Sequence, residues 1–271
     1  MSPVRFFQKS ILLTVVTSTC VSFAIAEPPP QQLDTSILPA EVVDNVVIPI
    51  PQEIFTALDK LGQQDWTSQL AKKDVDLDTS RSRSALLFGL VISDGFVAVQ
   101  ANDKVEVKRI GRDVLKLATA VGVEKAVAGH AHAIIEYADA DNWQAVRQEL
   151  DKTRQTVIDT MESNRDQDFA DLVSIGGWLG GTRALSSLVA DDFSADGSEL
   201  LNQPELLDQI VTVFDKLPKR IKRGPIFDEV AEALENLRPL MRTNNAGLVP
   251  AQSVAMIAQI TSSLTDDVYA K

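Results

Sequence analysis

The longest apolar stretch beyond the first 26 residues covers residues 84–101 and has hydrophobic side chains at every helical phase. A helix without a solvated face is either buried at the centre of a domain or spans a membrane. Asp94 lies in the middle of this stretch, and a carboxylate at the centre of a bilayer costs about 3 kcal/mol even on the lenient insertion scale. The stretch also ends abruptly at polar residues without an aromatic belt. We therefore predict that residues 84–101 form the buried central helix of a helical domain.

A second unusual helix is predicted over residues 168–190, because an apolar pattern there includes four glycines. Each glycine weakens a helix by about 1 kcal/mol relative to alanine, so the close approach of another backbone is the expected compensation. Glycines four residues apart leave a groove along the helix, which predicts a crossing with the central helix near Gly89 and Gly95. The predicted groove consists of Gly176, Gly177, Trp178, Gly180 and Gly181. The alternative is that the glycines break the helix into a turn and leave Trp178 on a loop.

From residue 52 onward, apolar residues recur at helical spacing and no strand alternation is evident. The resulting prediction is an all-α, compact domain of about eight to ten helices over residues 52–271. Placing Gly89 over Gly176 aligns the two unusual helices, which suggests two related helical halves. The amphipathic stripes that define the other helices begin at Ile54, Trp66, Ile110, Val127, Trp143, Leu207, Ile226 and Val254.

The N-terminus predicts export. Arg5 and Lys9 precede an uncharged stretch over residues 10–25, and Ala24 and Ala26 satisfy the small-residue rule for signal peptidase. Residues 1–26 are thus predicted to be a bacterial-type signal peptide, which places the mature protein in the periplasm or outside the cell. A lipoprotein signal ending at Cys20 is the alternative. Residues 27–51 contain six of the twelve prolines and are predicted to be an extended tether.

Charge and cysteine content narrow the function classes. The chain carries a formal charge of −12, and loss of residues 1–26 would remove two cations and no acid, leaving about −14. An excess of acids argues against nonspecific binding to nucleic acid or anionic membranes. The single cysteine, Cys20, lies in the predicted signal peptide, so the mature chain has no disulfides and depends on packing.

The candidate chemistry is sparse. Asp94 has apolar helical neighbours and requires a partner, because a lone buried carboxylate is very costly. Arg183, near the end of the glycine-containing helix, is the predicted partner, in a structural rather than a catalytic pair. His130 and His132 are the only histidines, and side chains two positions apart on a helix point about 200° apart. We therefore expect no metal site and no cofactor.

One basic cluster stands out in this acidic chain and predicts a docking patch for an acidic partner, an anionic polymer or a phospholipid surface. The alternative is that these cations only complement a helix C-terminus. The cluster consists of Lys216, Lys219, Arg220, Lys222 and Arg223.

These observations predict an exported, non-enzymatic helical protein that binds a protein partner or supports the cell envelope. The second hypothesis is a carrier that holds an apolar small molecule in the groove between the central helices. The third is an enzyme that uses Asp94, Arg183 and His130. All three exclude nucleic acid as a partner and a transmembrane span in the mature chain.

Overall fold

The computed structural model describes residues 40–43, 46–49, 59, 61–62, 64–77, 80–243 and 247–270. The predicted signal peptide, the start of the predicted tether and most of the short helix predicted around Ile54 lie outside these residues. Within the tether, β1 (Ala40–Val43) pairs with β2 (Val46–Pro49) in an antiparallel hairpin that sets Ala40 opposite Pro49. This part of the predicted tether is therefore a paired hairpin rather than a single extended strand.

The rest of the described chain is helical. A single 3₁₀ turn, Trp66–Gln69, precedes nine α-helices within the described residues. They are α1 (Arg81–Gln100), α2 (Lys104–Val121), α3 (Glu124–Asp139), α4 (Trp143–Asn164), α5 (Gln167–Asp191), α6 (Ala195–Leu200), α7 (Pro204–Lys216), α8 (Pro225–Leu237) and α9 (Ala251–Tyr269). The predicted all-α, compact multi-helix domain around a buried central helix is confirmed. The relation between two helical halves stays a prediction.

Short polar side chains and glycine define several helix ends. The Ser80 hydroxyl accepts a hydrogen bond from the Arg83 amide at 3.2 Å and begins α1, and the Asp103 carboxylate does the same for α2. Side-chain oxygens at these positions satisfy amides that have no partner inside the helix. Gly122 ends α2 with φ at 86°, a left-handed conformation that glycine adopts without steric cost. Pro204 and Pro225 open α7 and α8, where the missing amide hydrogen is not needed.

Helix α1 lies at the centre, and its most extensive contact is with α5. Helix α2 packs beside α1, while α9 packs on α5 and also touches α1 and α8. Helices α3 and α4 pair with each other next to α2, and β2 lies against α5 and α7. The contacts of α9 with both central helices place the end of the described chain against the core.

By length and composition, α1 is the one helix in the described residues that could cross a membrane. Of its 18-residue apolar window, 72% is buried inside the protein. The buried central helix of a soluble domain can have the same length and composition as a membrane-spanning helix. The length and composition of α1 therefore do not distinguish a buried helix from a membrane span.

Candidate functional site

Asp94 joins three helices in the interior. Its side chain on α1 is only 3% exposed. The Arg183 Nη2 on α5 donates to the Asp94 Oδ1 at 3.0 Å, and the Tyr269 hydroxyl on α9 donates to the Asp94 Oδ2 at 3.0 Å. The structure thus brings together the two residues predicted to pair. Tyr269 is a third member that the sequence reasoning missed.

Burial governs the ionisation of this cluster. Removal from water raises the pKa of Asp94, although the charge of Arg183 and the hydrogen bond from Tyr269 act in the opposite direction. Burial also raises the pKa of Tyr269, and the neighbouring Asp94 carboxylate raises it further. The Tyr269 hydroxyl therefore keeps its proton and acts as a hydrogen-bond donor to Asp94.

The last residue of the 3₁₀ turn and the segment after it contact this cluster. The Arg183 Nη2 donates to the backbone carbonyl of Gln69 at 2.7 Å, and the Arg109 Nη1 donates to that of Lys73 at 3.3 Å. Lys73 also forms an ion pair with Asp266 on α9. Because backbone carbonyls and α9 close over the buried charges, the cluster is an architectural junction rather than an open reaction site.

Beside this junction the Arg183 Nε and the Thr265 Oγ1 are buried, and neither has a hydrogen-bond partner among the residues that the structure describes. Thr265 is one helical turn before Tyr269 on α9. A buried polar group that makes no hydrogen bond costs about 1–3 kcal/mol. Both oxygens of the Asp94 carboxylate accept hydrogen bonds, whereas these two atoms carry that cost.

The predicted groove between the central helices is filled by backbone atoms of α1 at Gly176 and by side-chain atoms of α1 at Gly180. A methyl group added at Gly176 would overlap the carbonyl oxygen of Leu86, and one added at Gly180 would lie 2.8 Å from the Ser93 Cβ. A methyl group at Gly89 would in turn lie 2.6 Å from the Gly177 amide nitrogen. The two helices therefore cross at the glycines, and this contact uses the surface that the carrier hypothesis assigned to a ligand.

Two details of the glycine prediction need correction, and its alternative can be decided. Gly95 faces Ile110 on α2, at 3.5 Å from an added methyl group, and does not take part in the crossing. Gly177 and Gly181 lie beside the crossing of α1 and α5. Methyl groups at these positions would be 3.8 Å and 3.9 Å from the nearest atoms of α1. Trp178 is buried within a continuous α5, so the alternative of a turn is wrong.

His130 belongs to a separate polar cluster between α3 and α4. Its Nδ1 lies 2.7 Å from the Glu149 Oε1, and its Nε2 lies 2.9 Å from the Thr156 Oγ1. Both ring nitrogens of His130 thus contact residues of its own cluster rather than Asp94 or Arg183, and the enzyme hypothesis that joins these three residues stays a prediction. Sequence reasoning missed Glu149 and Thr156 because they lie on a different helix.

In its order of contacts, the cluster of Glu149, His130 and Thr156 resembles a relay of acid, base and hydroxyl. Thr156 lies in the middle of α4, where backbone amides bond to carbonyls of the same helix and none points at a developing oxyanion. Burial acts to raise the pKa of Glu149, but hydrogen bonds from His130 and Lys152 outweigh it and hold that pKa below its usual value. Nowhere in the described part of the chain do three or more His, Cys, Asp or Glu form a metal-binding group.

The basic cluster divides into capping and exposed residues. The Lys222 Nζ donates to the carbonyls of Phe214 at 2.9 Å and Asp215 at 3.2 Å, at the C-terminal end of α7. This arrangement matches the helix-terminus alternative for Lys222. Lys216, Lys219, Arg220 and Arg223 are exposed. Arg220 forms an ion pair with Asp168 at 2.8 Å.

A surface depression of about 330 Å³ lies between Arg220 of the basic cluster and a distant part of the chain. Arg165 lies between α4 and α5 and borders the same depression as Arg220. Sequence reasoning missed Arg165 because 55 positions separate it from Arg220. The remaining lining residues are Ser82, Asp166, Asp168, Phe169 and Ile221.

No protein-family model, curated protein or solved structure matches this chain in comparisons with each of the three.

Proposed function

We propose that the chain is an exported helical protein that binds another protein and catalyses no reaction. The observation that carries this proposal is the contrast between its two groups of charges. The Asp94 junction is buried and closed, whereas exposed cations from two parts of the chain meet around a depression. Charges that meet at an open surface are available to a partner, while buried pairs serve mainly the fold.

The two other hypotheses receive less support from the same geometry. A carrier requires space between the central helices, and the positions of Gly176 and Gly180 are filled by α1. An enzyme built on Asp94 and Arg183 requires access to a carboxylate that is 3% exposed. Partner binding requires neither internal space nor a reachable catalytic group.

Native mass spectrometry of the exported protein, purified without detergent at low salt, tests the proposal. We expect the mass of a chain that begins at Glu27, together with a complex that contains a second, different polypeptide. The same protein at high salt serves as the control and should lose the partner, because screening weakens contacts between exposed charges. A retained apolar small molecule would instead support the carrier, and a bare chain under both conditions would contradict partner binding.

A further inference from the structure

The surface around the depression combines residues from two separate segments. Arg165 follows α4, while Lys219, Arg220 and Arg223 follow α7. We call these four residues and the depression the basic face. All four side chains are exposed, and Arg165 and Arg220 both border the depression itself.

Ion pairs neutralise the two carboxylates of the basic face. The Arg81 Nη2 lies 2.6 Å from the Asp166 Oδ2, and the Arg220 Nη2 lies 2.8 Å from the Asp168 Oδ2. Three guanidinium groups, including that of Arg165, therefore face two carboxylates. The local balance is positive although the chain as a whole carries −12. At physiological ionic strength charges act over only about 8 Å, so the local balance decides which groups bind there.

The depression also offers apolar surface. Phe169 is half-buried, and the Arg81 guanidinium stacks over its ring at 3.9 Å from the centroid. Ile221, which also lines the depression, is 6% exposed. A volume of about 330 Å³ lies at the small end of the range for ligand pockets, enough for one or two side chains.

These features favour one class of partner over others. A densely anionic surface, such as a layer of phospholipid headgroups or a sulfated polymer, extends beyond the basic face and would come into direct contact with the acidic remainder of the chain. A flat bilayer also cannot fill a depression. A polypeptide segment is small enough to place an apolar side chain and carboxylates together at one depression that Phe169, Arg165 and Arg220 line.

We infer that the basic face binds an acidic polypeptide segment that places an apolar side chain in the depression and carboxylates on Arg165 and Arg220. This inference rests on the proposed function, since it names the surface and the chemistry of the partner. Arg165 and Arg220 act as hydrogen-bonded charges, Lys219 and Arg223 add positive potential, and Phe169 and Ile221 contact the apolar side chain.

Fluorescence anisotropy with a labelled peptide of glutamates around a central leucine tests the inference on the full exported chain. We expect the double variant Arg165→Gln and Arg220→Gln to bind at least about tenfold more weakly than the parent, as loss of charge-assisted hydrogen bonds implies. The matched control, Arg112→Gln with Lys125→Gln, removes two exposed cations from α2 and α3 and should change affinity less than about twofold. A peptide with serine in place of leucine should bind several-fold more weakly, because the depression then contacts no apolar side chain.

Equal losses in the two double variants would show a nonspecific charge effect and overturn the inference. Binding to vesicles that contain phosphatidylglycerol, or to heparin, without binding to the peptide would assign the basic face to a different partner. Failure here is distinguishable from failure of the proposed function. If the native complex survives the change of Arg165 and Arg220, the proposal that the chain binds another protein stands. Only the basic face is then excluded as the binding surface.

Discussion

At the scale of single residues, two carboxylates on the central helices have raised pKa values but different surroundings. Asp94 is fully buried and held by Arg183 and Tyr269. Asp171 on α5 is half-buried, accepts a hydrogen bond from Gln167 at 3.3 Å and lies near a second carboxylate. Burial, opposed in part by that hydrogen bond and assisted by the charge of Asp168, raises the pKa of Asp171 to about 6. Asp171 should therefore titrate in a range that is easy to study.

We predict that Asp171→Asn raises the melting temperature at pH 8 and flattens its dependence on pH. The folded protein binds a proton at Asp171 near pH 6, whereas the unfolded chain does so near 3.8. The contribution of Asp171 to stability therefore increases as pH falls through about 6 toward 4, and it is least favourable above pH 6. Differential scanning calorimetry from pH 5 to pH 8 on the parent and the variant measures the difference.

Other carboxylates also have shifted pKa values, raised for Asp94 and lowered for Asp59 and Glu149, but the parent and the variant share them, so the difference between the two curves reports Asp171. The pKa of Glu149 is lowered, so the stability that its carboxylate contributes is lost only as the pH falls below the usual pKa of a glutamate. Asp208→Asn, which changes an exposed carboxylate paired with Arg238, is the control and should leave the slope as in the parent. Parallel curves for the parent and Asp171→Asn would show that Asp171 has an ordinary pKa.

The sequence predicts some residue contacts and not others for a physical reason. Asp94 requires a buried cation, and few cations lie within an apolar helix, so Arg183 can be chosen from the sequence. A tyrosine near a surface needs no partner inside the protein, so the sequence does not predict the contact of Tyr269. Only its position four residues after Thr265 places it on the buried side of α9. The contact of His130 with Glu149 depends on the pairing of α3 with α4, which the apolar stripes alone do not determine.

At the scale of helices, the close contact between α1 and α5 depends on which glycines of α5 face α1. The four glycines of α5 predict a close approach, but the sequence does not show which two face α1, since adjacent positions differ by 100° around the helix. The structure selects Gly176 and Gly180, together with Gly89 on α1. Gly177 lies next to Gly176 and serves as a nearly ideal control.

We predict opposite effects for the same substitution at these adjacent positions. Gly176→Ala should lower the free energy of unfolding by about 1–3 kcal/mol, because its methyl group overlaps the Leu86 carbonyl and one backbone must shift. Gly177→Ala should be neutral or stabilising by up to about 1 kcal/mol, since alanine favours the helix and its methyl group would lie 3.8 Å from the Gly89 oxygen. Urea denaturation of both variants measures the difference. Equal destabilisation would mean that both glycines serve the crossing.

At the scale of the whole molecule, helical periodicity predicts the all-α fold, whereas the basic face depends on tertiary structure. Apolar stripes with a period near 3.6 identify the helices because each must cover part of one interior. Neither the hairpin in the proline-rich segment nor the proximity of Arg165 to Arg220 leaves such a periodic signal. Both depend on how the helices are arranged in space.

The arrangement of helices around α1 leads to a prediction about the state of the whole protein. Helix α1 is long and apolar enough to cross a membrane, but 72% of its apolar window is already covered. Exposing it to lipid would require α2, α5 and α9 to leave it and the carboxylate of Asp94 to lose Arg183 and Tyr269. Removing one partner from a buried ion pair costs about 3–5 kcal/mol, and the stripes of the other helices would also lose their cover.

We therefore predict that the protein stays in the soluble fraction when the membranes of cells that produce it are washed with alkaline carbonate and sedimented. Purified without detergent, it should also remain soluble, because the apolar residues of α1 contact α5 rather than lipid. The Arg112→Gln and Lys125→Gln variant, which alters charge without touching the core, should fractionate in the same way. Recovery of the parent with the carbonate-washed membranes would show that α1 leaves the interior for the bilayer, and the buried junction would then describe only one of two states.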